Sequence, residues 1–343
     1  MRRIACPLCC CDQCTTIARL AGPWCFRVRN VVCKGCGFVY RNPQWDDRES
    51  ARFYAHASHY YAQVYDNLRL SEAREGPETQ AAQARLAELR QWLSPPARLL
   101  DVGAGSGALV KVARAAGFEA MGLELDQEAC KAAQERGVPM MHGSLEHCRH
   151  PTASFAAVTA FHVLEHVTDV HRFLAKAYRL CGADGLLLIE VPDTETVRVP
   201  IKDYLLPEHN WHFTGRSLRA LLASTGWHVE MEKVARREGF TADVLLAVAR
   251  RPVGEPFVER HHHRQPGEHD RMVALMRNTD RLNRRTKGMI LRDALARCLG
   301  PWFGRRAFRA LRRLVQGRIR RACRATLGTD TRAETRGDGL RHP

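Results

Sequence analysis

Eight of the thirteen cysteines in this 343-residue chain lie between Cys6 and Cys36. Cys6-Pro-Leu-Cys9 and Cys33-Lys-Gly-Cys36 are two C-x-x-C knuckles separated by 23 residues, the spacing of a Cys₄ zinc site. Such a site is closed, with no open position for catalysis. Its four thiolates supply folding free energy that so short a segment cannot draw from its own core. Gly35 and Gly37 suit the tight turns of a knuckle. Cys10, Cys11, Cys14 and Cys25 leave a second register open, Cys11-Asp-Gln-Cys14. Cysteines that merely cluster in a core rarely pair as knuckles.

A second constellation is Asp101-Val-Gly103-Ala-Gly105-Ser-Gly107, between an apolar strand and a helix. Glycines there let the backbone approach a ligand where a Cβ would clash. The following helix N-terminus turns unpaired N–H groups toward a polar or anionic group. Glu124 ends the next strand, 21 residues past Gly103, where an acid accepts hydrogen bonds from ribose hydroxyls. The order G-x-G-x-G differs from the dinucleotide G-x-G-x-x-G, since Ala108 stands at the third position. A plain tight turn is the bland reading. The strand, loop, helix and acid in one register favour a nucleoside ligand.

Histidines come third. His162, Glu165 and His166 lie in FHVLEHV, and His209 and His212 in PEHNWHF. Both stretches follow strands, where ligands of parallel sheets bind, and histidine suits proton removal near neutral pH. His166 leads as the catalytic base, with His162, Glu165 and His212 beside it. Structural readings compete. His162 caps its strand, Glu165-His166 orients the next loop, and His212 bridges to Glu165.

Elements that must position these groups are legible in the apolar periodicity. Strands read at 98–103, 118–126, 138–144, 154–164 and 185–192, separated by helical text, and two closely spaced strands follow at 227–239 and 241–251. This alternation predicts an α/β fold: a doubly wound, mostly parallel seven-stranded sheet with an antiparallel pair at one edge. Four segments follow: a ribbon at 1–45, a helical connector at 46–95, the α/β domain at 96–252, and at 253–343 a linker, basic amphipathic helices and a polar tail. Formal net charge is +16, which favours anionic partners. The arginine-rich stretch 303–321 has its apolar residues at helical spacing, which fits either peripheral contact with an anionic membrane or packing on the domain. No apolar run reaches the roughly 18 residues of a membrane span. The start, MRRIACPLCC, lacks an apolar signal core. A reducing cytoplasm is therefore expected, where clustered cysteines bind metal rather than form disulfides.

LLDVGAGSG, GLELD, AFHVLEHV, GLLLIEVP and the terminal strand pair resemble the class I S-adenosylmethionine methyltransferases over about 96–252. The resemblance implies that Asp101, Gly103 and Gly105, with Gly107 in the same loop, line the methionine moiety of the cofactor. Glu124 would hold its ribose, Ser144 and Leu145 its adenine, and Phe161 would border the methyl-transfer site. Many relatives carry an acid where Ser144 stands. C-P-x-C followed by C-x-x-C-G-F-V-Y-x-N-P resembles the ribbon fused to methyltransferases acting on sugars, including nucleotide-sugar C-methyltransferases. That implies Cys6, Cys9, Cys33 and Cys36 as structural zinc ligands and a sugar or glycan intermediate as acceptor. H-x-x-E-H also resembles the E-x-x-E-H stretch of ubiquinone-pathway O-methyltransferases, linked there to a divalent metal. His162 replaces the first acid, nitrogen ligands suit softer metals than magnesium, and no catalytic metal is expected. An RNA methyltransferase is the alternative that the charge and the ribbon invite. Against it, no [DNS]-P-P-[YF] motif follows the fourth strand, and the ribbon lacks a dense set of basic and aromatic residues. A non-catalytic module that kept the fold is the third reading.

Overall fold

A computed structural model describes residues 2–21, 27–45, 49, 77–236, 241–257 and 264–279. Cys25, most of the expected connector, and the basic stretch 303–321 lie outside the described residues. The described residues all belong to one compact unit.

The chain opens with β1 (Cys14–Ala21), β2 (Arg27–Cys33) and β3 (Val39–Arg41), and helix α1 (Pro77–Leu89) precedes the main sheet. There follow β4 (Arg98–Val102), α2 (Ala108–Ala115), β5 (Glu119–Glu124), α3 (Gln127–Glu135), β6 (Met140–His142), β7 (Phe155–Phe161), α4 (Val170–Leu180) and β8 (Cys181–Pro192). The last elements are α5 (Ile201–Tyr204), β9 (Trp211–His212), α6 (Gly215–Ser224), β10 (His228–Ala235) and β11 (Val244–Arg250).

Seven of these strands form one sheet in the order β10-β11-β8-β7-β4-β5-β6. β4 to β8 are parallel to their neighbours, while β10 and β11 are antiparallel. The strands buried on both faces read as continuous apolar text, as in Leu186–Ile189, because helices cover both sides. Helix starts are set by side chains: Asp126 accepts from the Glu128 and Ala129 amides, and Asp169 from those of His171 and Arg172. Each such cap is worth about 1 kcal/mol. The strand order reverses between β4 and β7, the place where open α/β sheets bind ligands. One boundary differs from the sequence expectation. β8 begins at Cys181, not Gly185, because the buried Cys181 already pairs with Phe155 on β7.

The N-terminal segment is not a separate body. β9, from the loop after β8, completes a four-stranded sheet of order β1-β2-β3-β9, with Val39 opposite His212 and Tyr40 opposite Trp211. Phe38, Tyr40, Trp211 and Phe213 stack there and continue the core of the main domain. The expected linker also does more than span. Residues 268–279 are helical, and Met272, Val273 and Met276 are buried against Val32, Val39, Ile201 and Leu205. Apolar residues at helical spacing in 268–279 thus find their partners on the ribbon.

Candidate active site

The loop Asp101–Gly107 runs from the end of β4 to the start of α2. Gly103 has φ +67°, and a Cβ there would lie 2.4 Å from Cγ2 of Val163, so the loop packs directly on the segment after β7. At Gly105, φ +53°, an added Cβ would meet no described atom within 4 Å. That glycine faces open space, as a ligand-cradling position should. Glu124 accepts the Gly105 N–H at 2.7 Å and the Asp126 N–H at 2.9 Å. These bonds fix its carboxylate at the rim of the loop, and hydrogen bonds to a charged group are worth roughly 1.5–3 kcal/mol. Glu124→Ala should therefore weaken S-adenosylhomocysteine binding by about ten- to hundredfold, as calorimetry would read. Unchanged affinity would remove Glu124 from the site.

Asp101 is buried and accepts the Thr159 hydroxyl at 2.6 Å. Burial pushes its carboxyl up to about 6, against the Thr159 hydrogen bond and the Arg85 charge. Ionised Asp101 is the partner expected for the ammonium of the cofactor's methionine moiety. Below pH 6 the free protein holds it neutral, so affinity for S-adenosylhomocysteine should fall with acid, approaching tenfold per pH unit (about 1.4 kcal/mol each). Titrations at pH 5 and 7 check the sign; equal affinity would show that Asp101 carries no ligand charge. Ser144 stands at the rim, its hydroxyl 2.8 Å from Nδ1 of His147. Leu145 does not offer its side chain to a ligand. It is buried in the core beside Leu123 and Cys148, because the 3₁₀ turn Leu145–His147 points its first residue inward. Phe161 ends β7 with the Arg85 guanidinium 4.5 Å over its ring.

Past Phe161 the histidines come together, but in two electrostatic classes. His162, at φ +58°, lies between Glu165 Oε1 (3.3 Å from Nδ1) and Glu190 Oε1 (3.2 Å from Nε2). Burial alone would lower its pKa, yet the two carboxylates outweigh that and push it up to about 9. The two carboxylates thus favour the protonated ring, which disfavours His162 as the base. His166 and His209 form an edge-to-face pair with ring centroids 4.7 Å apart. Burial, then neighbouring positive charge, holds His209 well below its ordinary range, and burial likewise lowers His166. Both are neutral and able to accept a proton. His212, on β9, is buried and held down to about 3 by burial and the Arg41 charge. It does not bridge to Glu165. Its Nε2 lies 3.2 Å from Asn30 Oδ1 of the ribbon, because pairing of β9 with β3 turns it that way.

The loop before β9 is tied down by the same region. Asn210 donates its backbone N–H to the Glu165 carbonyl at 2.7 Å, and Trp211 Nε1 donates to the Val167 carbonyl at 2.7 Å. Four groups here had no motif to announce them: the buried Glu190, Arg41 and Glu208, and the partly buried Arg85. Arg41, 1% exposed, stacks on Trp45 and donates to the Pro207 carbonyl. Burial pushes neighbouring Glu208 up to about 7, against the Arg41 charge. A signal did exist for Arg41: an arginine in an otherwise apolar strand, GFVYRNP, implies a buried partner.

At the ribbon, Cys6 Sγ lies 3.6 Å from Cys36 Sγ, and Cys9 Sγ 3.5 Å from Cys33 Sγ. All four sulfurs are within 4.8 Å of one another. Thiolates about 2.3 Å from one tetrahedral zinc would sit about 3.8 Å apart, so the residues fit that ion. The competing register is not assembled: Cys14 starts β1, opposite Cys33, and Cys11 turns its thiol to the Gln13 carbonyl.

Residues 73–232 match the family described as "Methyltransferase domain". This stretch is thus similar to methyltransferase domains. Over 134 residues, 38% of this chain and 52% of the relative, it is 27% identical to a probable S-adenosylmethionine-dependent methyltransferase of Mycolicibacterium smegmatis. Over 131 residues, 38% and 48% of the two chains, it is 25% identical to a probable S-adenosylmethionine-dependent methyltransferase of Mycobacterium tuberculosis. The chain spans about half the length of these curated relatives. Among solved structures, the 1,6-didemethyltoxoflavin-N1-methyltransferase of Burkholderia thailandensis with bound S-adenosylhomocysteine is 18% identical, covering 69% of this chain and 100% of its own, at TM-score 0.48. A methyltransferase of Methanosarcina mazei is 16% identical, covering 48% of this chain and 97% of its own, at TM-score 0.42. The glycine loop packs on Val163, in the same segment after β7 that carries His166. No described helix is long and apolar enough to cross a membrane.

Proposed function

We propose that the chain transfers the sulfonium methyl of S-adenosylmethionine to a small polar acceptor, a sugar or glycan intermediate, and that a structural zinc on Cys6, Cys9, Cys33 and Cys36 holds the ribbon against the acceptor side. One observation carries the reading. The glycine loop packs on Val163, three residues before His166, and His166 pairs with His209 beside a wall built from the ribbon. Methyl transfer from a sulfonium needs an aligned nucleophile and, for a hydroxyl or an acidic carbon, a proton acceptor. Neutral His166 supplies that acceptor, and His209, more deeply buried, backs it.

Several features support a polyhydroxylated acceptor over a nucleic acid. Arg41, Glu208, Asn210 and His212 make the surroundings of the histidine pair polar, which suits a hydroxylated acceptor. The ribbon edge that could have met a nucleic acid strand is taken up by β9. The resemblance of the ribbon to those of sugar methyltransferases agrees with this choice.

The test is calorimetry with S-adenosylhomocysteine and metal analysis, followed by a screen of sugar nucleotides and glycan fragments for methyl incorporation from labelled S-adenosylmethionine. Micromolar binding, one zinc per chain and a labelled sugar are expected. A folded, zinc-loaded chain that binds no S-adenosylhomocysteine would overturn the proposal. A second equivalent of metal would fall on Glu165, His166 and His209, whose ligand atoms also lie within 4.8 Å of one another, and would replace direct proton acceptance by coordination.

A further inference from the structure

Proton acceptance by His166 makes no use of the buried charges around His162, yet they stand in a row. Arg85 Nη2 is 2.7 Å from Glu190 Oε1, and the same oxygen is 3.2 Å from His162 Nε2. His162 Nδ1 is 3.3 Å from Glu165 Oε1. Glu190 and Glu165 are each 1% exposed. Positive and negative groups thus alternate from α1 through β8 to the loop after β7. Buried ion pairs contribute little net stability over apolar packing, so a purely structural account leaves this row unexplained. The backbone adds a second observation. His162 is held in the left-handed region, where non-glycine residues are strained and which clusters at functional sites.

We propose that Arg85, Glu190 and His162 are positioning residues that fix the Glu165 carboxylate against the His166–His209 pair and tie it to the cofactor loop. This deepens the function proposed above and rests on it. At one end, Arg85 stacks on Phe161, and Glu78 of the same helix accepts the Ser106 hydroxyl of the glycine loop at 2.8 Å. At the other end, Glu165 Oε2 is buried without a hydrogen-bond partner among the described residues. A carboxylate oxygen of Glu165 lies within 4.8 Å of ligand-capable atoms of His166 and His209. The Glu165 peptide carbonyl is pinned by the Asn210 N–H. When His166 takes the acceptor's proton, Glu165 Oε2 is the available counter-charge. His162 lies on the other oxygen of the same carboxylate, Oε1, which is 3.3 Å from its Nδ1. The titratable and charged groups facing His162 are Arg85 from α1, Glu190 from β8, Glu165 and His166 from its own loop, and His209 from the loop before β9.

Ring-nitrogen NMR of ¹⁵N-histidine-labelled protein tests this without an acceptor. In the wild type, His162 should remain doubly protonated at pH 7.5 and titrate near the value of about 9 set by its two carboxylates. Glu190→Gln should bring that midpoint down by about one to three pH units. S-adenosylhomocysteine should shift the His166 ring signals of the wild type. Arg85→Met should still bind S-adenosylhomocysteine but lose that shift. A neutral His162 in the wild type at pH 7.5 overturns the proposal, and this spectrum decides even if a variant fails to fold. An unchanged midpoint in folded Glu190→Gln, or an unchanged His166 response in folded Arg85→Met, overturns it equally. Binding of S-adenosylhomocysteine is read in the same samples, so failure of the cofactor site is visible separately from failure of the relay.

Discussion

Alanine at His166 is expected to lower turnover by about 10²–10⁴-fold while leaving affinity for S-adenosylhomocysteine within about threefold. His166 is half-buried, and burial together with the positive charge of His162 holds it neutral. It is the member of the histidine pair able to meet an acceptor from solvent. The glycine loop packs on Val163, and removal of the His166 ring is expected to leave that packing in place. The split between kcat and cofactor affinity is the diagnostic. A fall confined to KM would make His166 a binding contact that acts equally on ground and transition states. Unchanged turnover would move proton acceptance to His209. The comparison is made on the acceptor that the screen yields.

Serine at Cys33 should bring the metal content from one zinc per chain to none and abolish turnover, with S-adenosylhomocysteine binding preserved. Cys33 is fully buried and ends β2; its N–H donates to the Phe38 carbonyl and its carbonyl accepts the Gly37 N–H, closing the knuckle. Zinc in Cys₄ sites contributes roughly 10–16 kcal/mol to folding of the segment that binds it. Loss of a thiolate therefore releases β3, and with it the pairing of Val39 and Tyr40 to β9. β9 carries His212, and the loop before it carries Glu208 and His209, so the acceptor side loses its geometry. Asp101, Gly105 and Glu124 belong to β4, its loop and β5, none of which pairs with the ribbon. Metal analysis, calorimetry and turnover on one preparation distinguish the outcomes. If turnover survives in the zinc-free variant, the ribbon does not position the acceptor side. If S-adenosylhomocysteine binding is lost as well, the ribbon supports the whole domain and not one side of it.

Local pattern was enough to locate the strands from Arg98 to Arg250, the glycine loop, the terminal antiparallel pair and the two knuckles, because each is encoded within a few neighbouring residues. Apolar periodicity reports which face is buried, glycine reports a backbone that must turn or approach closely, and C-x-x-C spacing reports a knuckle. The same patterns placed Asp101, Glu124 and the histidines at the carboxyl ends of the strands. What tertiary structure alone decided is which of these groups carries charge and what surrounds it. His162, His166, His209 and His212 are one residue type, yet His162 is cationic between two carboxylates and the others are neutral. A histidine's pKa is set by burial and by charges brought in from distant elements, and no local pattern contains them. Arg85 and Glu190 lie on a helix and a strand that read as ordinary until folding places them 2.7 Å apart. Leu145 turned inward for the same reason: a short turn decides which way a side chain faces. The ribbon's role also waited on the fold. Nothing near Tyr40 or Trp211 announces that these two pair across the chain, and only that long-range pairing joins the C-x-x-C segment to the strand after β8.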